Sequence, residues 1–170
     1  GQLRHFAYGT PFVGQLANFN RSLEQVPPEA DYVKMVFADD RLLERRLEEM
    51  VELAERDPSI RIVSSYAKIE SELYLDGLPL DVEVLTGEDV FRRTVYEGMN
   101  LLGSPTSVMY RADAVRQAEE FFPEDVKFAD ADAGFEVLEG GKLGVVHQVL
   151  SYYRMDDDAL TPTLEDFRPG

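Results

Sequence analysis

Residues 32–43, YVKMVFADDRLL, constrain the fold more than any other stretch of this sequence. An apolar run around one lysine ends in Ala38, Asp39 and Asp40, and this pattern predicts a buried or half-buried strand that stops at the two acids. After the acids, leucines and other apolar residues recur at helical spacing with charges between them. The stretch therefore predicts a strand, an acidic turn and a helix, as in α/β folds.

The acidic pair has two interpretations. Ligands of open α/β sheets bind beyond the carboxyl ends of strands, where carboxylate oxygens suit Mg²⁺ or Mn²⁺ carrying a phosphate. An aspartate before a helix is also a common N-cap, because acids favour the positive end of the helix dipole. Taken alone, the pair favours the cap, so its surroundings must decide.

Composition excludes several classes of function. The formal net charge is -16, which repels phosphate backbones and anionic membranes, so we expect no nucleic-acid binding. A bound nucleotide would need a divalent cation to neutralise it. No apolar run approaches the ~20 residues that span a membrane, and no signal peptide opens the chain, so we expect a cytoplasmic protein. The chain has no cysteine, which excludes disulfides and thiolate chemistry.

The rest of the chain alternates predicted helices and strands. The pattern predicts helices over 12–23, 42–56, 89–99, 112–121 and from 130 onward, and strands over 60–69, 106–110 and 144–154. Asp76-Gly77 is typical of a hairpin turn, and Thr86 with Asp89 resembles a capping box. Gly140 and Gly141 predict the end of the helix that begins near Asp130.

Four stretches in this order resemble the family-two glycosyltransferases, which have the GT-A nucleotide-sugar fold. They are residues 32–42 (YVKMVFADDRL), 101–113 (LLGSPTSVMYRAD), 128–138 (FADADAGFEVL) and 144–154 (GVVHQVLSYYR). The first is similar to the family's metal and sugar-nucleotide motif, and the second to its loop beneath the acceptor site. The third is similar to its acidic helix start, and the fourth to the strand that leads towards the phosphates.

The resemblance implies roles for the acids. Asp39 would lie near the nucleotide ribose, and Asp40 would ligate Mn²⁺ or Mg²⁺. Asp130 would be the general base that deprotonates the acceptor hydroxyl in an inverting transfer, and such a base contributes roughly 10²–10⁴-fold in rate. Asp132 would orient the helix start or the acceptor.

The resemblance also implies nucleotide-sugar contacts for Ser104 and His147, and it has three departures. Only 38 residues precede Asp39, so the family's first nucleotide-binding portion is not expected here. Ala38 occupies the first position of the family's D-x-D motif. The histidine that often follows the last strand is replaced by MDDD, so Asp156 would be the remaining metal ligand.

His147, Asp130 and Asp132 also have purely structural interpretations. A histidine inside an apolar strand is usually a core residue whose nitrogens have protein partners, and this applies to His147. Asp130 and Asp132 favour simple helix capping when the resemblance is left aside.

The sequence thus predicts an α/β protein, a partial GT-A (Rossmann-like) mixed sheet flanked by helices, over residues 1–160 with an acidic tail over 161–170. The predicted function is metal-assisted transfer of a sugar from a nucleotide-sugar donor to a carbohydrate or other hydroxyl acceptor. The alternative is a non-catalytic carbohydrate-binding or interaction module derived from this fold. A Mg²⁺-dependent phosphohydrolase would explain the acids but not the four ordered stretches. A sheet without its first strands would expose an edge, so we also expect self-association.

Overall fold

The computed structural model describes residues 4–7, 9, 14–75, 77–118 and 120–154, and all structural statements refer to these ranges. The helices are α1 (Gln15–Leu23), α2 (Arg46–Glu55), α3 (Gly87–Glu97), α4 (Ala112–Gln117) and α5 (Ala129–Leu138). The strands are β1 (Tyr32–Val33), β2 (Arg41–Leu42), β3 (Ile60–Ile69), β4 (Glu72–Tyr74), β5 (Val84–Thr86), β6 (Val108–Arg111) and β7 (Lys142–Tyr153). No described helix is long and apolar enough to cross a bilayer.

Two long strands form the centre of one mixed sheet. Strands β3 and β7 run parallel, and each has two short antiparallel strands on its other side: β6 and β4 beside β3, and β5 and β2 beside β7. Strand β1 extends the sheet by pairing antiparallel with β6. The predicted α/β class, a mixed sheet flanked by helices, is confirmed.

Apolar side chains cover both faces of the sheet. On one face, Ile62 and Val145 pack with buried residues of α3, α4 and α5. On the other face, Val63 and Val146 pack with Met50 and other residues of α2. Because β3 and β7 are buried on both faces, their sequences are nearly continuous apolar runs rather than alternating ones.

The segment after the acidic pair differs from its prediction. Helix α2 begins at Arg46 rather than at Leu42, because Arg41–Leu42 pair with Tyr152 and Ser151 of β7 as strand β2. The N-cap of α2 is Arg45, in a left-handed conformation with φ of 63°. The helix-cap interpretation of the acidic pair is therefore wrong, since the acids precede the helix by a whole strand. Of the predicted strand before them, only Tyr32–Val33 makes ladder bonds.

Two of the predicted helix-end signals, the cap of α3 and the glycine after α5, are present in the structure. Thr86 caps α3 as predicted, accepting a hydrogen bond from the backbone N–H of Asp89 at 3.1 Å. Gly140 follows α5 with φ of 69°, which fits the predicted glycine end. The hairpin between β3 and β4 turns at Glu70–Ser71, since Ile69 pairs with Glu72. The turn indicated by Asp76-Gly77 stays a prediction. Asp76 itself lies outside the described residues.

Candidate functional site

The acidic turn after β1 is held by the loop that joins α3 to β6, residues 98–107. The ammonium group of Lys34 donates hydrogen bonds to the carbonyl oxygens of Pro105 and Thr106 at 2.9 and 2.5 Å. The backbone N–H of Phe37 donates to Oγ1 of Thr106 at 3.3 Å. Thr106 is fully buried. These bonds fix the backbone immediately before the acids, so the position of the turn depends on a loop about 70 residues further along the chain.

Asp40 is half-buried in this turn, whereas Asp39 is exposed. Burial raises the pKa of Asp40 above its ordinary value, and the charge of Asp39 acts in the same direction. Hydrogen bonds from the Thr106 hydroxyl and the Arg154 backbone lower that pKa, as does the charge of Lys34, but burial outweighs them. The Arg154 N–H donates to Oδ1 of Asp40 at 3.3 Å, which joins the turn to the end of β7.

Carboxylates at this position fit a magnesium or manganese ion that is held mainly by the phosphates of a bound nucleotide. Mg²⁺ in nucleotide sites is commonly bound through one or two carboxylates plus substrate phosphates and water. The described residues contain no group of three or more histidine or acidic side chains that would form a site made by protein alone. Asp156, the predicted further ligand, lies outside the described residues. Metal binding stays a prediction.

Asp130 is the second residue of α5, and Phe128 is the N-cap of that helix. Asp130 is therefore not the N-cap, and that interpretation is wrong, although its carboxyl group lies in the first turn of the helix. Its Oδ1 accepts a hydrogen bond from the backbone N–H of Ala131 at 3.0 Å. Burial raises the pKa of Asp130, and no cationic side chain among the described residues offsets that effect. A carboxyl group in such a setting is a stronger base than an exposed one.

Two tyrosines lie within electrostatic reach of this carboxyl group. The charge of Asp130 contributes, after burial, to a raised pKa of Tyr74 and of Tyr110. Tyr153 packs edge-on against Tyr74 with ring centroids 6.0 Å apart. Burial raises the pKa of Tyr153 to about 12. Its hydroxyl lies near Ser104 and forms no hydrogen bond of ordinary geometry among the described residues.

The loop 98–107 also orients Tyr74. The backbone N–H of Gly103 donates to Oδ1 of Asn100 at 2.9 Å, which fixes the amide, and Nδ2 of Asn100 donates to the Tyr74 hydroxyl oxygen at 2.7 Å. The hydroxyl proton of Tyr74 is then left for another acceptor. Gly103 has φ of 66°, and a Cβ there would lie 2.4 Å from Leu75, so the loop requires glycine. One loop thus bonds to both regions: the Thr106 hydroxyl bonds to Asp40, and Asn100 bonds to Tyr74, whose pKa burial and the charge of Asp130 raise.

Asp132 does not share the surroundings of Asp130. Residues two apart on a helix point in different directions, and the exposed Asp132 lines an open groove between α3 and α5. Its predicted role in orienting the acceptor stays a prediction, and the structure brings it close to Glu88 and Glu136 instead.

His147 has protein partners on both ring nitrogens. Nε2 lies 2.9 Å from the carbonyl oxygen of Val82, and Nδ1 lies 2.5 Å from the hydroxyl of Tyr66. Since a carbonyl only accepts, Nε2 donates, and in the neutral ring Nδ1 accepts from Tyr66. This is the arrangement that the core interpretation of His147 predicts. Contact of His147 or Ser104 with a nucleotide sugar stays a prediction.

Sequence reasoning missed four residues that position the acids: Lys34, Tyr74, Asn100 and Thr106. A lysine inside an otherwise apolar run was the visible signal for the first, because a buried ammonium group needs several acceptors. The other three carry no local signal. Their contacts join segments that are 26 or more residues apart in the chain.

Comparison with known proteins supports the fold. No family model and no curated protein matches this chain. The solved structure of S. aureus TarS residues 1–349 matches with a TM-score of 0.58 and 20% identity, over 79% of this chain and 38% of that one. A structure of S. aureus TarS matches with a TM-score of 0.58 and 18% identity, over 82% of this chain and 24% of that one. TarS is a glycosyltransferase. The likeness shows a glycosyltransferase-like fold, and this chain spans less than two fifths of the matched chains' length.

Proposed function

We propose that this chain carries the acceptor-side and catalytic residues of a glycosyltransferase that moves a sugar from a nucleotide-diphosphate donor to an acceptor hydroxyl. One observation supports this most directly. A single loop, residues 98–107, bonds to the acidic turn and, through Asn100, to Tyr74, whose pKa burial and the charge of the half-buried Asp130 raise. Such an arrangement suits a reaction that needs a metal–diphosphate site and a separate proton acceptor.

The chemical step follows from these residues. Asp130 accepts the proton of the acceptor hydroxyl as that oxygen forms a bond to the anomeric carbon. The bond between the anomeric carbon and the diphosphate oxygen breaks, the nucleoside diphosphate leaves with the electron pair, and the configuration at carbon inverts. Asp40 would hold Mg²⁺ or Mn²⁺, which offsets charge on the departing diphosphate, and Asp39 would lie near the nucleotide ribose. Thr106 and Lys34 keep that turn in place throughout.

Binding of donor fragments tests the proposal. UDP, GDP and dTDP are each added with Mn²⁺ or Mg²⁺, and the melting temperature is compared with metal alone and nucleotide alone. A ligand that binds only the native state at a hundredfold excess over Kd adds ~2.7 kcal/mol. We expect one nucleotide with metal to shift the parent and not Asp40→Asn. If no pair shifts the parent, or the variant shifts equally, the acidic turn is not the donor site.

Transfer itself is then measured with radiolabelled nucleotide sugars and simple glycosides or polyols as acceptors. Donor hydrolysis in the absence of acceptor is the more tolerant readout. Retained binding of carbohydrate with no transfer and no hydrolysis would favour the alternative, a binding module with this fold.

We also propose self-association at the edge of the sheet. β1 is the outer strand beyond β6, and its two residues pair with β6 on one side, so its other side is the edge at which we expect a second copy to associate. Light scattering at micromolar concentrations should show species larger than a monomer. A stable monomer throughout that range would contradict this proposal.

A further inference from the structure

A groove of about 550 Å³ lies between α3 and α5, on the side of α5 that carries Asp132. Its floor is apolar: Phe91 and Phe135 meet edge-to-face with ring centroids 5.4 Å apart. Phe91 is 50% exposed. We call this region the α3–α5 groove.

The rim of the α3–α5 groove is acidic. Glu88, Asp132, Glu136 and Glu139 line it, all four are exposed, and no lysine, arginine or histidine lines it. None of the four forms an ion pair with another described residue. The neighbouring Asp89, by contrast, pairs with Arg92 at 3.7 Å. The negative charges of the groove's carboxylates are therefore not balanced by ion pairs with described residues, whereas that of Asp89 on α3 is.

Exposed apolar surface continues from the floor along α3. Val95, one turn after Phe91, is 54% exposed, and Tyr96 is 79% exposed. Single exposed apolar residues are ordinary, but Phe91 and Val95, four residues apart, lie on the same face of α3 and are both about half exposed. The groove therefore offers a partner an apolar floor, four carboxylates without ion pairs among the described residues, and further apolar surface next to it.

We propose that the α3–α5 groove binds a basic amphipathic segment of a partner protein. An apolar side chain of that segment would cover Phe91 and Phe135, and its lysine or arginine residues would pair with the four carboxylates. A second copy of this chain fits poorly, since each copy carries a net charge of -16. The proposal needs no enzymatic activity and does not depend on the proposed function.

The probes are three synthetic peptides of equal length. One has leucine on one helix face and lysine on the other, the second replaces each leucine with serine, and the third replaces each lysine with glutamate. Calorimetric titration at physiological ionic strength should show binding of the first peptide and much weaker binding of the others. Loss of binding in the serine peptide separates an apolar contact from plain attraction to an acidic protein.

Variants locate the binding site. Glu136→Gln with Glu139→Gln should weaken binding by about three- to tenfold, as expected for two surface ion pairs. Phe91→Ser should weaken it by about fivefold or more. The matched control is Glu24→Gln with Glu29→Gln, which removes the same charge from exposed positions near α1 and should change affinity less than about twofold. Melting curves check that each variant is folded.

Three results would overturn the proposal. The first is equal weakening by the groove pair and the control pair, which would mean that net charge alone attracts the peptide. Equal affinity of the leucine and serine peptides would remove the apolar contact. No binding of the leucine and lysine peptide to the folded parent would remove the site altogether.

Discussion

Asp40 and Asp130 are both half-buried carboxyl groups with raised pKa values, yet their surroundings differ. Asp40 has a hydroxyl, a backbone N–H and the charge of Lys34 acting in favour of its ionised form. Asp130 has only backbone N–H groups for that purpose, and its charge adds to burial in raising the pKa values of Tyr74 and Tyr110. The first setting suits a carboxylate that stays charged and meets a cation, and the second suits one that takes up a proton.

Helix capping does not explain why Asp40 and Asp130 occupy these positions. Neither residue is the N-cap of the helix that follows it, because Arg45 and Phe128 occupy those positions. In both cases burial makes the ionised form less favourable than it would be in water. Carboxyl groups whose burial weakens the fold are candidates for functional groups, and the expected effects below test that inference from the largest to the smallest.

The largest effect is expected at Asp130. Asp130→Asn keeps the size and removes the base, so turnover in the transfer assay should fall by ~10²–10⁴ while donor-induced stabilisation remains. Asp132→Asn is the matched control on the same helix and should cost far less, because Asp132 lines the α3–α5 groove. Turnover that survives Asp130→Asn would remove Asp130 from the mechanism and end the contrast with Asp40.

A smaller effect is expected at Thr106. Thr106→Val keeps the shape of the buried side chain but leaves the Phe37 N–H and Asp40 without the hydroxyl, so unfolding free energy should fall by about 1–3 kcal/mol in urea titrations. Thr94→Val is the matched control, since its buried hydroxyl has no hydrogen-bond partner among the described residues, and it should be neutral or stabilising. Equal losses in the two variants would show that Thr106 does not hold the acidic turn.

The smallest effect is a pH dependence of stability. Burial raises the pKa of Asp130 in the folded state, so the folded chain binds its proton more tightly than the unfolded chain does. The stability that this proton contributes is fully present below the unfolded pKa of about 3.9 and is lost as pH rises through the folded pKa. Asp130→Asn should therefore melt higher than the parent at neutral pH, and the difference should vanish near pH 3.

Asp57 provides the opposite sign in the same experiment. The hydrogen bond from Lys142, 2.8 Å away, lowers the pKa of Asp57, so its contribution is present above the unfolded pKa and is lost as pH falls. Asp57→Asn should melt lower than the parent at neutral pH, with a difference that shrinks on acidification. A common sign for Asp130→Asn and Asp57→Asn would contradict the assignment of burial as the cause at Asp130.

The sequence predicted well what is decided locally. β3 occupies the predicted 60–69, because an apolar and β-branched run is bounded by Asp57-Pro58 and a polar turn. The Thr86 cap and the start of the acidic helix near Asp130 are likewise read from adjacent residues. Each of these depends on residues a few positions apart, so pattern and propensity are sufficient.

The sequence predicted poorly what is decided by distant pairing. β2 forms because Arg41–Leu42 pair with Tyr152 and Ser151, about 110 residues later in the chain. From the local sequence alone, Leu42 and Leu43 predict the start of a helix. The buried bonds between Lys34 and the loop 98–107 have the same origin. Opposite exposure of Asp130 and Asp132 was in principle predictable, because residues two apart on a helix never share a face.

The parallel pairing of β3 with β7 has a consequence for synthesis on the ribosome. Strand β3 is complete about 70 residues before its partner begins at Lys142. At roughly 5–20 residues per second, that interval lasts roughly 4 to 15 s, during which one edge of β3 has no partner from its own chain. A chain that stops before Lys142 would lose the partner of β3, β5 and β2 together. Stalling between the end of β3 and the completion of β7 should therefore yield an aggregation-prone nascent chain.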